Sequence, residues 1–277
     1  FGHAAERTLN RLLKDNGGFH HPIQSVKYLW EKYGNNLIDE IYEGILVHDS
    51  DMFTINKEEA KNQLQWSEYC KKEHPESSEK CLYLGKFLNK VPSTLEAQAV
   101  IWADKIAYIT HDLEDFLHSP IESQLCKILG NLIGKSLQRI TDFESRDLIR
   151  AITTDLIIAS SNNIKGIDCF EQEMVQKKTE ERLNPEETKE KKRYLNSLII
   201  NFTDNFRNNY YELRELLDEK YIYSPEVQRS DAKAQKIVSS LYTEFVENYK
   251  LLPLEFRIKI DDEIRKEAKE FLTLNVM

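Results

Sequence analysis

After Gly166 no glycine occurs through to Met277. A stretch that long without the residue best suited to tight reversals cannot be a meander of short strands, because sandwiches and barrels need a turn every 8–12 residues or so. Nine glycines and seven prolines serve 277 residues, about half the average usage. The expectation is therefore an all-α chain of long helices. Its 40% hydrophobic content is enough for a real core, and its 31% charged content covers the outside. The formal net charge of −9 argues against a dedicated nucleic-acid binder, which shows a basic domain. Single-stranded nucleic acid is not indicated, although a local basic groove is compatible with that balance. Four cysteines, Cys70, Cys81, Cys126 and Cys169, are too few and too scattered for a disulfide framework or a zinc knuckle. No apolar run reaches the length of a membrane span, and the opening FGHAAERTLN lacks the charged and apolar regions of a signal peptide. The expected setting is the cytoplasm, without a membrane partner.

Breakers and caps divide the chain. A first helix follows Gly2, with Leu9, Leu12 and Leu13 on one side, and stops at Asn16-Gly17-Gly18. A second is expected from about Gln24 to Tyr33 and a third from Leu37 to about Val47. The polar stretch 50–91, centred on Glu73 to Glu79, reads as a surface insertion. Ser93 and Glu96, just after Pro92, have the spacing of a capping box, and nothing breaks the run 94–117 that follows. Further helices are expected at about 121–141, 144–160, 189–218, 231–248 and 260–274. The segment from Glu171 to Arg193, dense in both charges, reads as a solvated face.

The helix 94–117 places acids among apolar residues. Asp104, Tyr108 and Asp112 recur at i, i+4 and i+8 and so share a face. Ala99, Val100, Ala103, Ile106, Ala107 and Leu113 around them predict that much of the helix is buried. A carboxylate in that setting is paired, protonated or bound to metal; a salt bridge or hydrogen-bond network between helices satisfies it as well as a ligand does. Near the start, His3 and Glu6 stand three apart, close enough on a helix for the carboxylate to fix the imidazole tautomer and raise its pKa. Such pairs are also common on solvated helices. Adjacent His20 and His21 after a glycine turn point in different directions and are poor joint ligands for one ion. His48-Asp49 and His111-Asp112 each spell the dipeptide of metal-dependent HD hydrolases, a weak signal in two residues.

Taken together, longer segments carry a specific resemblance. Phe1 through Asn10 resembles FGHxxExxLN, Gly17 through Ser25 resembles GGFxHNxQS, Tyr42 through His48 resembles LEGILxH, and Leu95 through Asp115 resembles LEAQxxxxADxIAYxTHDLxD. In order and spacing these are the motifs of the HD-superfamily deoxynucleoside triphosphate triphosphohydrolases, the dGTPase family. Arg146 through Arg150 and Leu241 through Phe245 fit more loosely.

The resemblance implies an HD-domain-like multi-helix bundle, with a partial catalytic domain over 1–160 and a helical C-terminal region over 161–277 on the same core. It implies hydrolysis of a dNTP, dGTP or a broader set, to deoxynucleoside and inorganic triphosphate with a divalent metal ion such as Mg or Mn. By motif position Asp104 would be a metal ligand and Lys105 would contact the phosphates. His3, supported by Glu6, would transfer a proton at the scissile bond, with His21 beside the phosphates. Tyr108 and Asp112 would bracket the sugar, the ring leaving little room at C2′ and the acid bonding the 3′-OH. A homo-oligomer, dimer or hexamer, and a dNTP effector are further implications. Another HD phosphohydrolase, such as a monophosphate nucleotidase, or a helical module that only senses nucleotide are the alternatives. His20 and Pro22 depart from the family pattern beside His21. The family's metal-binding His and HD pair precede its FGH motif, where this sequence starts, so three of four implied ligands fall outside the chain. The expectation is that residues 1–277 alone bind metal weakly and are inactive, with His48-Asp49 a helix end.

Overall fold

A computed structural model describes residues 2–33, 36–49, 51–64, 83–116, 122–165, 167, 171–184, 189–254, 256–258 and 260–261. Among these the regular structure is helical throughout, and the chain is all-α. In order come α1 (Gly2–Leu12), α2 (His21–Tyr33), α3 (Asp39–Val47), α4 (Asp51–Thr54), α5 (Lys57–Leu64), α6 (Leu95–Phe116), α7 (Glu122–Ile133), α8 (Ser145–Ile164), α9 (Gln172–Glu181), α10 (Glu190–Ser197), α11 (Asp204–Leu217) and α12 (Pro225–Glu247). None of the described helices is long and apolar enough to cross a membrane.

Helix α6 is the spine. It packs on α3, α8 and α11, and its inner stripe of Ala97, Gln98, Ile101, Trp102, Ile109, Leu113 and Phe116 is buried. Its other side is open: Ala99, Val100, Ala103 and Ala107 face solvent. The expected apolar girth is thus a single stripe, and Asp104, Tyr108 and Asp112 lie on the border between the two faces. The start differs as well. Thr94, whose Oγ1 accepts from the Ala97 amide at 3.1 Å, caps α6. Ser93 is taken instead by the buried Glu43, which accepts from its amide at 2.8 Å and its hydroxyl at 2.6 Å.

Three further boundaries depart from expectation. The 121–141 helix stops at Ile133, where Gly134 takes φ +67 and the Lys135 amide returns to the Gly130 carbonyl. The 189–218 helix is two, α10 and α11, parted by a buried loop. There Asn201 donates to the carbonyls of Leu195, Asn196 and Leu198, and Gln98 accepts from the amides of Ile199 and Ile200. These partners replace helical bonds and stabilise the break. The 231–248 helix starts earlier, with Ser224 as N-cap and Pro225 in its first turn. The helix expected at 260–274 falls almost wholly outside the described residues, as do 65–82 in the polar stretch. Both flanks of that stretch enter the core through Met52, Leu64, Leu84, Leu88 and Val91. Tyr194, Leu198, Phe202 and Leu213 belong to the same core as Trp30 and Ile101.

Candidate active site

A cleft of about 1630 Å³ opens between α1, the border face of α6, α11 and α12. Two glycines set its first wall. Gly17 and Gly18 have φ of +95 and +80, angles that side-chain-bearing residues rarely hold. They fold the chain back so that Asn10 Oδ1 accepts from the Phe19 amide at 2.8 Å and α2 starts beside α1. His21, at that start, then meets Glu6: one carboxylate oxygen accepts from both the His21 backbone amide and ring Nδ1, each at 2.8 Å. The other ring nitrogen, Nε2, lies 3.1 Å from Nε2 of His48. His48 is the C-cap of α3, and its Nδ1 lies 2.6 Å from the Ile45 carbonyl.

The electrostatics follow from these contacts. Burial works to raise the Glu6 carboxyl, but the two hydrogen bonds and the charge of His21 outweigh it and hold the group below its ordinary value. The same contact raises His21 above the usual imidazole range, against desolvation, with Asp49 and Asp104 adding to Glu6. Glu6 therefore accepts its hydrogen bonds from His21, and acts on His3, the partner the sequence spacing suggests, through charge alone.

His3 stands exposed at the mouth, its ring edge-on to Tyr108 with centroids 5.6 Å apart. The Arg214 guanidinium lies over Tyr108 at 4.4 Å. Its two arms donate to Asp112 at 2.8 Å and Asp218 at 2.6 Å. Burial lifts the Asp112 carboxyl above its ordinary value, and Arg214 offsets part of that. For Asp112 the salt-bridge reading of the sequence thus applies. Lys105 lies 3.3 Å from Asp104 and 3.9 Å from Asp49 and bridges the two acids. His20 turns away toward Glu59, and His111 is exposed.

All seven residues to which the resemblance gives a site role thus stand in or beside one cleft. Four others join them, of which sequence reasoning passed over Arg214 and Asp218. The dipeptide His48-Asp49, an HD pair by spelling and a helix end by the resemblance, does end α3 and also reaches His21 and Lys105. Arg214 and Asp218 sit in a charged helix whose pattern held a usable signal, since Tyr210, Leu213 and Leu217 make an inward stripe that Arg214 borders. Asp104 could give one oxygen to a metal ion, but its side chain is 43% exposed and Lys105 already neutralises it. Among the described residues no three His, Cys, Asp or Glu converge on a common point. These residues therefore do not by themselves fit a divalent ion.

Comparison with known proteins gives this arrangement a lineage. Residues 200–272 match the phosphohydrolase-associated domain that accompanies HD domains. Over 94% of its length the chain is similar, at 29% identity, to a deoxyguanosinetriphosphate triphosphohydrolase-like protein of Rickettsia rickettsii, and spans 64% of that protein. A protein of the same name from Rickettsia canadensis is 28% identical over 97% of the chain, which covers 68% of it. Over most of its length the chain is thus similar to proteins of the HD-superfamily dGTPase family. It spans about 64% of the length of the relatives first matched, and the bundle described above is all-α and HD-like.

Proposed function

We propose that this chain carries the leaving-group and sugar side of a site that hydrolyses deoxynucleoside triphosphates to deoxynucleoside and inorganic triphosphate. The observation that carries the reading is the convergence on one cleft of a carboxylate-supported histidine, a lysine, and a tyrosine flanked by an arginine-held acid. The names of the relatives and the associated domain agree with it.

In such a reaction water adds to the α-phosphorus, the bond from phosphorus to the sugar O5′ breaks, and O5′ takes up a proton. Lys105 and His21 place positive charge where the phosphates gather it, the electrostatic help such a transition state needs. His3, at the edge of Tyr108, is positioned to hand a proton to O5′. The Tyr108 ring lies against C2′ and disfavours a ribose hydroxyl there. Arg214 holds Asp112 through Oδ2, leaving Oδ1 to accept from the 3′-OH. The divalent ion implied by the family would supply Lewis acidity at the phosphates, with Asp104 as one ligand and the others from outside the described residues.

The test uses protein expressed from the complete reading frame, incubated with dGTP and Mn²⁺, with products separated by anion exchange. Release of triphosphate supports the reading. Orthophosphate released from dGMP would point to a nucleotidase, and binding without turnover to a nucleotide-sensing module. In the active protein Asp104→Ala abolishes turnover, while Tyr108→Ala chiefly narrows the difference between dGTP and GTP; near-normal activity of the Asp104 variant would remove it from the machinery. Size-exclusion chromatography with and without dNTP tests assembly into dimers or hexamers and an effector role.

A further inference from the structure

The hydrogen bonds around His21 decide where protons sit. The Ile45 carbonyl can only accept, so His48 Nδ1, 2.6 Å away, carries a hydrogen. The Glu6 carboxylate also only accepts, so His21 Nδ1, 2.8 Å away, carries one too. The two Nε2 atoms face each other at 3.1 Å, and nitrogens at that distance share a single hydrogen. One imidazole of the pair is therefore doubly protonated and the other neutral. Glu6 touches His21 and not His48, which places the extra proton on His21.

We propose that His48 is a positioning residue, a neutral acceptor that takes the Nε2 hydrogen of His21 and so fixes the ring and its charge at the cleft. This deepens the reading above and rests on it only for the effect on turnover. With both N–H groups engaged, His21 is a stationary cation beside the phosphates and not the donor to O5′, a task left to His3. Both nitrogens of His48 are likewise committed, so His48-Asp49 does not act here as a metal pair.

The groups around His21 are Glu6 and His3 from α1, His48 and Asp49 from the end of α3, and Asp104 and Lys105 from α6. All but His48 stay in place in the decisive variants. His48→Phe keeps a ring of similar size and removes the acceptor, while His48→Gln offers an amide oxygen in its place. The measurement is two-bond ¹H–¹⁵N correlation NMR of the ring nitrogens in the full chain without substrate, with His21 assigned through His21→Gln.

The wild-type spectrum should show His21 protonated on both nitrogens near pH 6 and His48 as the Nδ1–H tautomer. In His48→Phe the His21 midpoint should fall by about one pH unit, a tenfold change in the ratio of its two forms, the scale of one lost charge-assisted bond. His48→Gln should recover most of that shift. An Nε2–H tautomer at His48 overturns the proposal from the wild-type spectrum alone, even if His48→Phe fails to fold. An unmoved His21 midpoint in a folded His48→Phe overturns it as well. In turnover, His48→Phe should lower kcat for dGTP with KM little changed, and His48→Gln should restore it; an unchanged kcat beside a shifted titration overturns the catalytic part. Wild-type protein that releases no triphosphate sinks the proposed reaction, while the substrate-free titration still decides the role of His48.

Discussion

Glu43 and Glu6 are the same side chain in two neighbouring regions, and their carboxyls move in opposite directions. Glu43 is 1% exposed between α3 and the start of α6, and Ser93 supplies both hydrogen bonds described above. Neither donor carries charge, so burial prevails and the carboxyl is pushed up. Glu6 is less enclosed and meets an imidazole that can take a full positive charge, so its carboxyl is held down. Burial by itself does not say which acid does chemistry. The partner does: a neutral clamp makes Glu43 a fastener, and a titrating partner makes Glu6 half of an ion pair at a cleft.

The largest effect expected from breaking this contrast is on stability at Glu43. Glu43→Ala leaves the buried Ser93 amide and hydroxyl without acceptors and opens a void, a loss of about 3 kcal/mol in urea unfolding. Glu6→Gln should do the reverse. It costs only about 1 kcal/mol of stability, but it removes the charge that keeps His21 protonated, and dGTP turnover should fall about 100-fold. A variant that unfolds without losing turnover per folded molecule, or the opposite, separates the two roles.

Stability against pH sharpens the same comparison. His21 is raised above 6.5 and Glu6 lowered below 4.5. Their pair contributes fully between about pH 4.5 and 6.5, fades as pH rises through the raised His21 value, and fades again as pH falls through the lowered Glu6 value. Glu43, raised above 4.5, has the other slope: stability declines as pH climbs from 4.5 to its folded value and is level beyond. Glu43→Gln should erase that decline while changing stability by less than about 1 kcal/mol, because the amide can still pair with Ser93. Urea midpoints from pH 4 to 8 for wild type, Glu43→Gln and Glu6→Gln read all three slopes. The smallest effect belongs to the exposed Arg7–Asp231 pair. Arg7→Ala should cost about 0.5 kcal/mol or less, and less still in high salt.

What the sequence could show followed from period and spacing. Helical period alone puts Asp104, Tyr108 and Asp112 on one face of α6, and the breaker-free run from Thr94 marks the helix itself. Choice of partner was not legible, because it depends on groups brought together by folding. Ser93 and Thr94 are equally good caps on paper, and Glu43, distant in sequence, decides between them. Glu6 meets His21 because Gly17 and Gly18 reverse the chain. The break at 198–203 contains neither glycine nor proline; it exists because Gln98, Ser160 and Asn201 satisfy its backbone. Arg214 looked like one more charge on a polar helix until α11 docked against α6.

The clasp of α6 on that loop also bears on how the protein comes into being at the ribosome. Gln98 waits for Ile199, and Trp102 for the Ile200 carbonyl, which accepts from its indole at 2.6 Å. Tyr108 waits longer, for Arg214, and Arg7 on α1 longer still, for Asp231 on α12. A nascent chain halted before Asn201 emerges holds the spine helix without its bolt, and one halted before α12 holds a core without a cleft. The pocket is therefore completed only once α12 has emerged, long after His3 and His21 on its opposite wall have been made.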